Sequence, residues 1–277
     1  MFKGNKSNSF TGAVVLIISA FVNLYSTAAF SLSATSESNS AFFIKKQSVK
    51  IQAKHGDPNA LYLLAKKYRD GKGVPRNIDK SMSYFSEAAN KGFAPAQIDL
   101  GQMYTNEVGV GQDYEKAYYW FKKAADQNYA SAQFNVANLY RTGRGIKVNE
   151  DLAFLYYEKS AKSGFVKAQY NLAIMYLNGM GVEKNLAKVA YWYEKAANNG
   201  FAMAQYHLAN MYSNGEGIDK DLNRALSWYT AASDAGVKDA YDAKIALEGI
   251  LEKTNKNQAT VSEDEKSVLD SEFALQP

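Results

Sequence analysis

The chain has 277 residues, a formal net charge of +4 and no cysteine. So small a charge, about +2 without Lys3 and Lys6, does not argue for a nucleic-acid partner. The absence of thiols excludes disulfide stapling, a cysteine nucleophile and a lipid-modified N-terminal cysteine.

Residues 1–29 read as a signal peptide. Lys3 and Lys6 are followed by the apolar run Ala13–Val22 and the small residues Ser26, Ala28 and Ala29, so cleavage is expected after Ala28 or Ala29. The rival reading is an uncleaved membrane anchor. The run is about half of the ~20 residues a span requires, and Asn23 interrupts its extension. Residues 30–40 are a Ser-rich linker. Residues 41–56 read as a lone N-terminal capping helix, with Phe42, Phe43, Ile44, Val49 and Ile51 available to cover an exposed repeat end.

From there the chain repeats itself every 36 residues. Ala60, Ala96, Ala132, Ala168 and Ala204 stand in register, as do Tyr68, Tyr104, Tyr140, Tyr176 and Tyr212. A period of this size is the mark of a solenoid. Counted from each first Ala, positions 1, 5, 6 and 9 are small or apolar and fall on one arc of a helix, here called helix A. Glycines follow: Gly71 and Gly73, Gly109, Gly143 and Gly145, Gly179 and Gly181, Gly215 and Gly217. They suit a helix end and a turn at positive φ, so Gly145→Val is expected to destabilise the third repeat. Position 18 is always Asn or Asp (Asn77, Asp113, Asn149, Asn185, Asp221) and predicts the N-cap of a second helix, helix B. Helix B carries an aromatic pair and an alanine pair, as in Trp120, Phe121, Ala124 and Ala125, which are expected to pack in the core. It ends at Gly92, Asn128, Gly164, Gly200 and Gly236. Five repeats are expected over 57–239, at about 60–95, 96–131, 132–167, 168–203 and 204–239, as one continuous array. Residues 240–253 start a sixth helix A but place Lys244 where the repeats have Leu or Val, so they read as a C-terminal cap. Residues 254–277 turn polar and acidic and read as a tail.

Little in the sequence points to reaction chemistry. The two histidines, His55 and His207, are far apart, and His207 reads as a surface helix residue. The Gly-x-Gly turns lack the strand and third glycine of a dinucleotide site. Carboxylates such as Glu158, Glu194 and Asp113 fall at caps or at surface positions of helices. No catalytic residue, metal or cofactor is expected.

The repeated A-Q-x-x-L-A/G-x-x-Y, G-x-G-V/I, N/D-x-x-K/R-A and W-Y/F-x-K-A-A-x-x-G resemble the Sel1-like repeat, a relative of the tetratricopeptide repeat. The resemblance covers about residues 57–239. It implies an all-α fold, a right-handed α-α superhelical solenoid of stacked antiparallel helix pairs, used to hold partner proteins. It also implies that helix A lines the concave groove. That places position 3 (Tyr62, Ile98, Phe134, Tyr170, Tyr206) in the groove, or else packed on the preceding helix B. Position 7 (Lys66, Gln102, Asn138, Ile174, Asn210) and position 10 (Arg69 and Arg141 among others) complete the candidate stripe. Rings, amides and few charges suit an extended peptide. With the leader, the reading is an exported interaction scaffold, periplasmic or secreted, and the resemblance points to envelope function or host interaction. A regulator of a peptidoglycan-processing enzyme is the alternative, and a hydrolase a more distant one. No nucleic acid and no stable membrane insertion after cleavage are expected.

Overall fold

A computed structural model describes residues 49–106 and 111–273, with side chains as far as Thr254 and at Lys256. The leader, the linker, the start of the N-terminal cap and Gly109 lie outside these residues. Every regular element among the described residues is an α-helix. The helices are α1 (Pro58–Asp70), α2 (Ile78–Asn90), α3 (Ala94–Thr105), α4 (Tyr114–Asp126), α5 (Ala130–Thr142), α6 (Glu150–Lys162), α7 (Val166–Asn178), α8 (Leu186–Asn198), α9 (Ala202–Asn214), α10 (Leu222–Asp234) and α11 (Lys238–Phe273). The chain forms two compact units that meet in sequence between Lys91 and Gly92.

One set of local rules makes every pair. Asn77, Asp113, Asn149, Asn185 and Asp221 each accept a hydrogen bond from the backbone N–H three residues on, which satisfies a free donor of the first turn. The N–H of the same residue donates to the carbonyl of the tyrosine at position 9, at 2.9–3.1 Å in all five repeats, and closes the loop. Helix B ends in the left-handed region at Gly92, Asn128, Gly164, Gly200 and Gly236, and Asn128 is the one non-glycine at positive φ among the described residues. Helix A starts two residues before the alanine that marks the period. Its N-cap positions in the second unit are Phe93, Tyr129, Phe165 and Phe201, none of which caps with its side chain. Rings at position 3 meet rings at position 26, and position 9 binds position 18, so the helices of a pair run antiparallel.

In the first unit, residues 49–54 are helical and Ala53 is buried. The core of α1 and α2 is Ala60, Leu61, Leu64, Ala65, Phe85, Ala88 and Ala89. Ser81 is fully buried on α2, and its hydroxyl has no hydrogen-bond partner among the described residues. Repeats two, three and five carry Ala117, Ala153 and Ala225 at this position. Burying an unpaired hydroxyl costs about 1–3 kcal/mol, and alanine is the better helix former. Ser81→Ala is therefore expected to stabilise the chain by roughly 1 kcal/mol or more in urea denaturation. A lower midpoint would show that the hydroxyl is satisfied.

In the second unit, α3 to α10 form four pairs stacked in order, and α11 packs on α10. The interior is built from alanines, with Ala132, Ala137, Ala153, Ala168, Ala173, Ala196 and Ala204 all 0% exposed. Small side chains let the helices approach closely, and Phe121, Tyr157, Tyr193 and Tyr229 fill the remaining volume. Gln97, Gln133, Gln169 and Gln205, at position 2, are buried in the middle of this apolar arc. Gln169 and Gln205 donate to the carbonyls of Ala161 and Ala197 near the end of the preceding helix B. Each carbonyl also accepts from the glycine that ends its helix, Gly164 or Gly200, and the amide is a further donor that joins one repeat to the next. The sequence pattern already held this signal, a polar residue recurring on a buried face.

α11 runs to Phe273, well past the expected cap boundary at 253. No Gly or Pro lies between Ile250 and Gln276 to end it, and the segment is rich in Glu and Lys. Among the described residues no helix is long and apolar enough to cross a membrane.

Candidate functional site

The candidate residues all lie on helix A. Tyr62, Lys66 and Arg69 belong to α1 in the first unit. The Lys66 ammonium lies 5.3 Å from the Tyr62 ring centre, and Arg69 pairs with Asp70 at 2.8 Å. The others lie in the second unit: Ile98 and Gln102 on α3, Phe134, Asn138 and Arg141 on α5, Tyr170 and Ile174 on α7, Tyr206 and Asn210 on α9.

Position 3 is half-buried in every repeat. Its rings pack on helix B of their own repeat, with Phe134 on Tyr157 at 5.8 Å, Tyr170 on Tyr193 at 5.6 Å and Tyr206 on Tyr229 at 6.1 Å. In these three repeats position 3 therefore has a ring contact to the following helix B. Phe134 and Tyr170 also meet the N-cap rings of the next helix A, Phe165 and Phe201, at 5.1 and 4.8 Å. Each ring stays partly exposed on the helix face that also carries positions 7 and 10.

The polar part of the stripe is organised by tyrosine hydroxyls that rise from helix B. Tyr157 is fully buried, yet its oxygen accepts from Arg141 Nε and Asn171 Nδ2, both at 3.2 Å. Its own proton goes to Asn138 Oδ1 at 2.5 Å. Because the hydroxyl oxygen already accepts twice, the Asn138 carbonyl must face it, and the amide N–H groups point away. Tyr229 donates to Asn210 Oδ1 at 2.6 Å in the same way. Burial pushes the Tyr157 phenol above its ordinary value, so the proton that orients Asn138 stays in place.

Repeat four departs from this pattern. Position 7 is Ile174 and position 10 is Leu177, which is 41% exposed. The Tyr193 hydroxyl has no hydrogen-bond partner among the described residues, and burial raises its pKa. His207, at position 4 of repeat five, occupies the place that Asn171 takes one repeat earlier. It is half-buried, not the surface residue expected from sequence. Its ring stacks on Tyr193 at 5.3 Å and 20°, and its Nε2 lies 3.3 Å from the Tyr170 hydroxyl. Burial among rings lowers its pKa and favours the neutral imidazole. The single sequence could not show this, because it depends on which ring the previous repeat presents.

Among the described residues, no group of three or more His, Cys, Asp or Glu is arranged to hold a metal ion. The stripe presents amide and guanidinium donors, half-buried rings and, in repeat four, the apolar Ile174 and Leu177.

The fold is that of a helical-repeat scaffold for protein–protein interaction. The chain belongs to the Sel1 repeat family, whose repeat matches residues 58–93, 94–129, 130–165, 166–201 and 202–237. The period is the one read from the sequence, with each repeat starting two residues earlier. The chain is similar to a Sel1 repeat protein from Oxalobacter formigenes, at 29% identity and a TM-score of 0.64, over 73% of this chain and 83% of that one. It is also similar to a protective antigen of uropathogenic Escherichia coli with the same type of fold, at 30% identity and a TM-score of 0.49, over 75% of this chain and 52% of that one. Helicobacter pylori cysteine-rich protein B aligns at 23% identity and a TM-score of 0.39, over 50% of this chain and 99% of that one. Curated protein sequences give no match.

Proposed function

We propose that this protein is an exported scaffold that holds an extended peptide segment of a partner along the helix A face of its second unit. The observation that carries this reading is the pair of oriented asparagines. Asn138 and Asn210 each have the carbonyl tied to a tyrosine hydroxyl, which turns the amide N–H donors away from that hydroxyl and leaves them for another acceptor. An extended backbone offers carbonyl acceptors along its length, and pre-oriented donors bind them with little loss of side-chain entropy. Rings at position 3 add contact area beside them. Export rests on the N-terminal segment, with its basic start, apolar run and small residues before Ala29.

A randomised linear-peptide library displayed on phage tests the first part. Peptides selected on the full chain are expected to lose at least about tenfold in affinity for Asn138→Ala combined with Asn210→Ala. The melting temperature should fall modestly, because each change removes the acceptor of a buried tyrosine hydroxyl, so affinity is compared at a temperature where both proteins are folded. Unchanged affinity would overturn the reading. Cell fractionation with sequencing of the mature N-terminus tests export.

A further inference from the structure

The helix A face of repeats three to five is asymmetric in charge and in polarity. α5, α7 and α9 contain no Asp or Glu at all, whereas their partner helices carry Glu150, Asp151, Glu158, Glu194 and Asp234. In these repeats the carboxylates stand on helix B or in the loops between the two helices (Glu183, Glu216, Asp219, Asp221), and none stands on helix A itself. On the helix A stripe, Arg141 is the one formal charge at positions 3, 7 and 10 of these repeats. It uses Nε for Tyr157, and no partner for its outer guanidinium nitrogens is found among the described residues.

Next to this polar station lies an apolar one. Tyr170, Ile174 and Leu177 follow one another at i, i+4 and i+7 on α7, so they share a face. Behind them the Tyr193 ring is covered by Tyr170 and His207. Asn138 and Asn210, the oriented amides of the two flanking repeats, bracket the gap.

We infer that the occupant is an extended peptide with a large apolar side chain seated on Ile174 and Leu177 and an acidic side chain paired with Arg141. This rests on the peptide-holding reading above and adds the chemistry of the ligand. The absence of acidic groups from three consecutive A helices favours a negatively charged partner, and a guanidinium recognises a carboxylate through two parallel N–H donors. The amides at Asn138 and Asn210 accept any sequence, because they meet main-chain carbonyls. Specificity therefore comes from the two side-chain stations. α5 and α7 both pack on α6 rather than closely on each other, so they stand at least one packed-pair distance apart, about 8–10 Å; at about 3.3 Å per residue of extended chain the two side chains should stand three or more residues apart.

The test uses the full chain and an array of synthetic peptides with a Gly, Ser and Asn background. One acidic and one large apolar residue are moved independently along the peptide. Binding is expected to peak at one spacing of three or more residues, and to fall about tenfold or more when either is replaced by Ser. Leu177→Ser should remove the preference for the apolar residue, and Arg141→Ala the preference for the acid. Both side chains are exposed, so the fold should persist, and Ile174→Asn serves as a second, stronger change. If peptides bind with sensitivity to Asn138 and Asn210 but regardless of apolar and acidic residues, the inference is overturned and the peptide-holding reading stands. If no array peptide binds, both are overturned.

Discussion

Gly217→Ala is expected to destabilise the second unit by roughly 3 kcal/mol or more, while Gly200→Ala should cost only about 1–2 kcal/mol. Both glycines sit in the left-handed region, at φ 71° and 79°. The backbone cost of adding a Cβ is therefore shared by both. They differ in what the Cβ would meet. At Gly200 nothing lies within 4 Å, whereas at Gly217 the new carbon would lie 2.6 Å from the carbonyl of Leu186. Leu186 is the first residue of α8, directly after its cap Asn185. The turn of repeat five thus rests on the start of helix B in repeat four, backbone on backbone. Neither side can yield by rotating a side chain, so the junction itself must open. The same arrangement recurs one and two repeats earlier, where a Cβ on Gly181 or Gly145 would overlap the backbone of Glu150 or Tyr114. In a solenoid, stability is a sum of repeat terms and nearest-neighbour terms, and this change acts on a neighbour term. Urea denaturation of the full chain should show a lower midpoint for Gly217→Ala and a broader or two-step transition. Equal losses for the two variants would show that the junction adapts without cost.

This double use of the glycine also marks where sequence reading stops. The period, the caps at Asn77 through Asp221 and the helix ends at Gly92 through Gly236 are local devices, fixed by a few adjacent residues. They could be read because five copies repeat the same choice. Positive φ at Gly145 belongs to the same class, and the residue alone suggests it. That the glycine also touches the preceding repeat does not follow from its identity, since the partner is a backbone contributed from about 31 residues earlier. The stripe was legible as a set of positions, because helical spacing puts positions 3, 7 and 10 on one face. Its internal order was not. The orientation of Asn138 depends on a hydroxyl from another helix, and the burial of His207 depends on Tyr193 lying beneath it. The length of α11 shows the converse case, a helix that runs on because nothing local stops it.

Tyr157 separates the structural role of helix B from its role in the stripe. Tyr157→Ala is expected to cost about 3–5 kcal/mol, since it empties a fully buried site beneath α5 and α7. Tyr157→Phe keeps the ring and removes only the hydroxyl. Repeat two shows that the ring alone suffices for packing, because Phe121 holds the equivalent position at 2% exposure. Asn138 and Asn171 are half-buried and Arg141 is exposed, so water can replace the lost bonds. The stability loss for Phe should therefore be about 1 kcal/mol. Binding should respond in the opposite proportion. Without the hydroxyl, Asn138 is free to turn and Arg141 loses its anchor, and each regains rotamer freedom that a bound peptide must remove. Peptides selected on the native chain should bind the Phe variant several-fold more weakly at nearly unchanged melting temperature, as measured by fluorescence anisotropy beside thermal denaturation. A Phe variant as unstable as the Ala variant would make the hydroxyl part of the fold. A Phe variant that binds as well as the native chain would remove Tyr157 from any part in orienting the stripe.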